Sequence, residues 1–290
     1  MKSAGTIASA EQLSESQRSA LLCLLADDDP VVYQTIRDKI LSLGPPAAEW
    51  LRPHLASSDS ALRRRAHNIV VHFDRQAADN EFLGFCLRHG EELDLEQGAW
   101  LLARTQYPEI NITAYQALLD AYAGELRAQI DPGMKARQIL TTINQYLFHE
   151  LGFAGNEANY YEPDNNYLNR VIDRRTGNPI NLCLIYLLLA RRLRLPVSGI
   201  SLPGHFICRY QSTEAEVYLD VFAGGKLLTK ADCIQFLLQG KHGLQDDYLT
   251  PASPRRVLLR ICANLHQIFV QLEAAQEVTR LQRYLIVLAR

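Results

Sequence analysis

Nowhere in this 290-residue sequence is there an apolar run long enough to cross a bilayer. The longest, Leu182 to Ala190, is about half of the ~20 residues that a spanning helix needs. Met1-Lys2-Ser3-Ala4-Gly5 is not followed by the apolar stretch of a secretory signal. None of the six cysteines, at 23, 86, 183, 208, 233 and 262, forms a C-x-x-C pair, which argues against a zinc ribbon or a small disulfide scaffold and for reduced thiols in a cytoplasm. Neither sign of charge is in excess. Thirty Lys+Arg against 32 Asp+Glu leave a net charge of −2, so nucleic acid is not the expected partner, and neither is a membrane. Glycine-rich phosphate loops, H-E-x-x-H and paired metal-ligand spacings are absent, so no cofactor and no metal are expected.

What is present is core material. With 48% hydrophobic and 21% charged residues, the chain can bury a sizeable interior, which excludes disorder and low complexity. Residues 1–14 read as a flexible tail and 15–130 as a helical domain. In that domain "ADDDPVVYQTIRDKI" and "SSDSALRRRAHNIV" resemble two copies of one Asp-capped unit, the rhythm of stacked HEAT-like helix pairs. Separate helical stretches are expected at Ser60–Phe73 and Phe82–Leu87. Asp131-Pro132-Gly133 marks a boundary. From Phe153 to Arg175 the chain reads as a long loop rich in Asn and Tyr. Asn178-Pro179 then starts a helix that is apolar nearly all round. Three strands, Val197–Leu202, His205–Tyr210 and Val217–Phe222, should pack on it. The expected fold class is therefore α+β and mostly helical, with a helix-plus-antiparallel-sheet domain over 131–250 and a helical hairpin over 251–290.

Cys183, His205 and Asp220 supply the residue types of a thiol triad. A cysteine near a helix N-terminus is activated by an adjacent histidine, and a carboxylate fixes that histidine's tautomer. Asn-Tyr-Leu-Asn at 166–169, Gly-Asn-Pro-Ile at 177–180 and Pro-Gly-His-Phe at 203–206 surround this set. With "LDLEQGAWLLARTQYPEINITAYQALLDAYAGELR" upstream, the chain from about Ala20 to Leu272 resembles the bacterial transglutaminase-like family of the invasion-regulator SirB type, often fused to tetratricopeptide repeats.

The resemblance implies a transglutaminase-like sheet, a TPR-like terminal hairpin and, in active members, a cysteine directly after the Gly-x pair, about 17 residues before the proline at the helix exit. Counting back from Pro196 reaches Pro179, and Cys183 follows one turn later, about 6 Å along the axis. Two readings stay open. In the first the protein is catalytically degenerate and acts by binding or regulating another protein or peptide, with Cys183 a small core residue. In the second it is a cysteine amide hydrolase or acyltransferase using Cys183, His205 and Asp220. Tyr160, Tyr161, Asn166, Tyr167, Asn169, Asn178 and Pro179 are candidates to line a cleft at the helix start, with anchoring of the loop the alternative for the first five of these.

Overall fold

The computed structural model describes residues 13–131, 133–240 and 245–290. The expected tail therefore lies outside the described residues up to position 12, as does Pro132 of the Asp-Pro-Gly boundary. The chain divides into two compact units, residues 1–80 with 105–108, and residues 81–104 with 109–290.

The described residues of the first unit form helices joined by short turns, with no strand. Helix α1 (Glu15–Leu25) begins at Ser14, whose side chain accepts from Gln17 N in a capping box. Asp29 caps α2 (Pro30–Ser42) through Val31 N at 2.8 Å, with Pro30 in the first position where its missing N–H costs nothing. After α3 (Pro46–Leu51) and a 3₁₀ turn, Asp59 caps α4 (Ser60–Arg88) through Ala61 N and Leu62 N. Leu25, Ile40, Leu51, Ile69, Val70 and Phe73 form this unit's core. Helix α4 is one helix of 29 residues rather than the two stretches expected. Nothing between Phe73 and Phe82 is glycine or proline, so no residue there stops it.

In the second unit α5 (Leu95–Gln106) and α6 (Ile112–Gln129) precede α7 (Ala136–Asn144), which widens into a π turn over Gln145–Glu150. The expected loop is half ordered backbone. It contains β1 (Ala154–Gly155), a 3₁₀ turn at Pro163–Asn166 and α8 (Leu168–Arg174), before β2 (Thr176–Gly177) pairs in parallel with β1. Leu168, Val171 and Ile172 are the buried side of α8, a helical spacing hidden within a stretch dominated by Asn and Tyr.

Helix α9 (Pro179–Leu193) begins as the sequence dictates, with Asn178 Oδ1 accepting from Asn181 N at 3.0 Å. Its residues from Pro179 to Tyr186 are all buried, as its apolar circumference requires. The sheet is an antiparallel meander, β3 (Val197–Ile200), β4 (Ile207–Gln211), β5 (Glu216–Asp220) and β6 (Lys226–Leu228), pairing in that order. The fold is α+β, as expected, with a fourth strand in addition. Helix α10 (Lys230–Gln239) follows, and α11 (Pro254–Gln271) with α12 (Ala275–Leu288) makes the terminal hairpin. Buried Arg255 braces that hairpin by donating to the carbonyls of Cys86, His89, Val287 and Leu288, acceptors left open where helices end.

Two turns set the site's geometry. His205 does not begin a strand as expected; it closes a turn in which its N–H donates to Leu202 O at 3.2 Å. Pro203 and Gly204 fill the central positions, and Gly204 has φ +74°, the type II pattern that a side chain at that position would strain. After β5, Gly224 and Gly225 both take positive φ, and Gly225 N donates to Asp220 O at 2.9 Å. Asn144 lies so close that a Cβ at Gly225 would collide with it.

Candidate functional site

The β4–β5 ladder pairs Cys208 with Leu219, so Asp220 ends β5 one residue beyond that pair, beside the turn that holds His205. His205 Nε2 lies 2.8 Å from Asp220 Oδ2. The other carboxylate oxygen accepts from Ala223 N at 3.2 Å, which fixes the carboxylate in place. Burial alone would push the Asp220 carboxyl upward, but the His205 bond and the N–H groups of Ala223 and Phe222 hold it below the usual carboxylate range. With Asp220 ionised, Nε2 carries the imidazole proton and Nδ1 is left as the basic nitrogen. Phe222 and Phe236 flank the ring with centroids at 6.4 and 5.8 Å.

The cysteine is arranged quite differently. Cys183 is fully buried, its thiol donates to Phe206 O at 3.5 Å, and no hydrogen bond joins it to His205. Loss of water, then the neighbouring Cys208 thiol and the Asp220 charge, push its pKa well above the ordinary thiol value. The turn that presents His205 thus uses its next carbonyl, that of Phe206, to hold the sulfur within the core. Cys208, on β4, is buried too, and its thiol donates to Cys183 O at 3.9 Å.

A pocket of about 350 Å³ opens beside the imidazole. Tyr160, Tyr161, Asn178, Pro179 and His205 line it, together with Arg260, Asn264 and Gln267 from α11. Four of the expected cleft residues are therefore brought together. Asn166, Tyr167 and Asn169 are not among its walls and are buried. Asn166 accepts from Asn178 Nδ2 at 2.6 Å, so it braces the start of α9 from behind. Anchoring explains the burial of Asn166, since a loop crossing a core must satisfy its own polar groups. Asp220 also stands behind the pocket, reaching it through His205.

Sequence reasoning missed the α11 wall. Arg260, Asn264 and Gln267 recur at i, i+4 and i+7, a polar stripe beside the apolar Ile261, Leu265 and Ile268. That signal was visible as periodicity, but only the fold shows that the stripe faces a cavity rather than solvent. Among the described residues no cluster of three or more His, Cys, Asp or Glu could hold a metal ion, and no helix is long and apolar enough to cross a membrane.

The model of the transglutaminase-like superfamily matches residues 113–263, just over half the chain, enclosing Cys183, His205 and Asp220. The chain belongs to the transglutaminase-like superfamily. It is 37% identical over 185 residues to a UPF0162 protein of Xylella fastidiosa strain 9a5c, covering 62% of this chain and 66% of that protein. A second UPF0162 protein, from strain Temecula1 of that species, is 35% identical over 196 residues, covering 66% of this chain and 70% of the relative. F-box only protein 21 of Mus musculus is 37% identical over 136 residues, 44% of this chain but only 21% of that protein. The match thus spans about two thirds of the bacterial relatives and a fifth of the mammalian one. No solved structure matches the chain. Within this transglutaminase-like domain the histidine and carboxylate are paired beside an open pocket, while the helix begins with proline and the nearest thiol is enclosed.

Proposed function

We propose that this transglutaminase-like chain is catalytically degenerate and acts by binding a segment of another protein, in the manner of a regulator. The observation that carries the reading is the Cys183 thiol, which is fully buried and donates to Phe206 O while Pro179 occupies the start of α9. A nucleophile needs thiolate character and access, and this sulfur lacks both. The six free cysteines fit a reducing compartment such as the cytoplasm. The helical first unit adds further surface of the kind that stacked helices present to proteins.

A second reading is favoured by one observation, the His205–Asp220 pair at 2.8 Å beside a pocket. In it Cys183 attacks an amide carbonyl, His205 takes the thiol proton and passes it to the leaving amine, and Asp220 orients the imidazole. That requires the sulfur to leave Phe206 O and reach the pocket. Iodoacetamide labelling of the native protein at pH 6, located by peptide mass spectrometry, separates the two. The binding reading expects Cys183 to stay unmodified until the chain is unfolded. Fast native labelling of Cys183 would overturn it in favour of the hydrolase.

A further inference from the structure

Pocket and charge together say more about what is bound. Half-buried arginines elsewhere in the second unit have acidic partners: Arg192 meets Glu96 at 2.8 Å and Asp120 at 2.6 Å, Arg170 meets Asp164 at 3.0 Å, and Arg280 pairs with Glu277. Buried Arg255 has no carboxylate but donates to four carbonyls. Arg260 has no carboxylate and only one such carbonyl. Its Nη1 donates to Ser201 Oγ and Leu202 O, both at 2.8 Å, and among the described residues no carboxylate lies within ion-pair distance. Its Nε and Nη2 donors are left with no acceptor among the described residues. The two bonds also fix the guanidinium against the turn that carries His205. Burial disfavours its charge and pushes its pKa down, an effect that the neighbouring Tyr160 phenol only partly offsets. An anion arriving in the pocket would offset that cost.

We infer that the pocket is a carboxylate-recognition site for a peptide, in which Arg260 forms a bidentate pair with the ligand carboxylate beside His205. This rests on the reading of the chain as a protein-binding module. A guanidinium fork matches the two oxygens of a carboxylate in a way that a single ammonium cannot. The amides of Asn178, Asn264 and Gln267 line the same walls, offering both donors and acceptors to peptide N–H and C=O groups. Ile180, Phe206 and Ile268 give the pocket an apolar side that would take an aliphatic or aromatic side chain next to the carboxylate. At about 350 Å³ the cavity suits two or three residues, near the low end of the ~300 to 1,000 Å³ of ligand pockets. The carboxylate comes either from a chain terminus or from an Asp or Glu side chain.

The test uses the full chain and a pool of random pentapeptides, affinity-selected and read by mass spectrometry. Three arms separate the sources: free C-termini, amidated C-termini, and amidated C-termini without Asp or Glu. Wild type is expected to enrich peptides from at least one carboxylate-bearing arm at least tenfold over the carboxylate-free arm, which corresponds to about 1.4 kcal/mol. R260Q abolishes the preference and R260K keeps part of it, while R191Q, outside the pocket, keeps all of it. Equal enrichment in all arms, no enrichment in any, or an unchanged preference in R260Q overturns the carboxylate site. If R260Q fails to fold, the wild-type arms alone still decide. Failure of the underlying reading looks different: wild type would cleave or ligate the pool, C183A would not, and the carboxylate preference would persist in both.

Discussion

The two ends of α9 are built to opposite rules. At the carboxyl end Arg191 and Arg192 complement the helix dipole, and Glu96, 3% exposed, takes Arg192 through both of its oxygens and pairs with Arg191 as well. Burial alone would lower the Arg192 pKa, yet Glu96 and Asp120 raise it. At the amino end Asn178 and Pro179 face a pocket, an imidazole is held by a carboxylate at its far nitrogen, and Arg260 is left without an acid. The fold neutralises the charges it uses to hold itself together and leaves open those it turns toward a cavity. Polar groups with no internal partner, rather than conspicuous sequence motifs, distinguish a binding surface from a brace.

Breaking the closed end should have the largest effect. Glu96→Ala takes a buried carboxylate from Arg192, which keeps only exposed Asp120, and from exposed Arg191, which keeps Asp94, and removing one partner of a buried pair costs up to about 3–5 kcal/mol. Urea denaturation of the variant should show that loss as a lower midpoint with the slope unchanged. A loss under about 1 kcal/mol would mean that the cluster is solvated and that the contrast between the two ends is misdrawn.

The next effect is on pH dependence. Asp220 is held below the ordinary carboxylate value, so its pairing with His205 stabilises the fold above roughly pH 4, and that contribution is lost as pH falls through the folded value. The enclosed thiols act with the opposite sign. Burial pushes Cys86 up to about 12 and Cys233 up to about 11, so their contribution is complete below the ordinary thiol value and disappears as pH rises from about 9 toward those values. Thermal midpoints measured across pH should fall on both sides. Asp220→Asn should narrow its deficit relative to wild type as pH drops from 7 to 3, and a deficit that stays constant would show that the pair contributes through shape alone.

What could be read in advance was whatever is local. Asn178-Pro179 announces a helix start because cap and proline act within one turn, and it starts a helix as expected. His205 and Asp220 could be paired because consecutive strands with short turns are neighbours. The direction of the Cys183 sulfur could not, since a helix buried on nearly every side gives no periodic signal about which face meets what. Arg260 was harder still. It is 40 residues from Asp220 in sequence, and only packing shows that no acid reaches it. Helix α8 was hidden by composition, its three apolar positions set among Asn, Asp and Arg.

Cys183→Ala sharpens the comparison from within α9. The sulfur is a small buried group with one weak hydrogen bond, so its removal should lower stability by about 1 kcal/mol through lost packing and leave peptide binding intact. In the wild type an aromatic-disulfide thiol titration should find Cys23, the exposed cysteine, reactive and the five buried ones protected until denaturant is added. A fast second thiol that disappears in Cys183→Ala would move the sulfur from the core into the site.

The smallest effect is expected at Arg260 itself. Arg260→Gln removes two hydrogen bonds from a charged donor, a loss on the order of 1.5–3 kcal/mol each before solvent competes. The same substitution removes a half-buried cation with no counter-ion, whose desolvation cost opposes that loss. The shorter amide leaves Ser201 Oγ and Leu202 O to be satisfied by water entering the pocket, so the two contributions should nearly cancel. Stability is therefore expected to change by less than about 1 kcal/mol, several times less than for Glu96→Ala. Paired denaturation curves of the two variants in one buffer make the comparison direct. If Arg260→Gln unfolds as readily as Glu96→Ala, the guanidinium is a brace like Arg192, and the two ends of α9 obey the same rule after all.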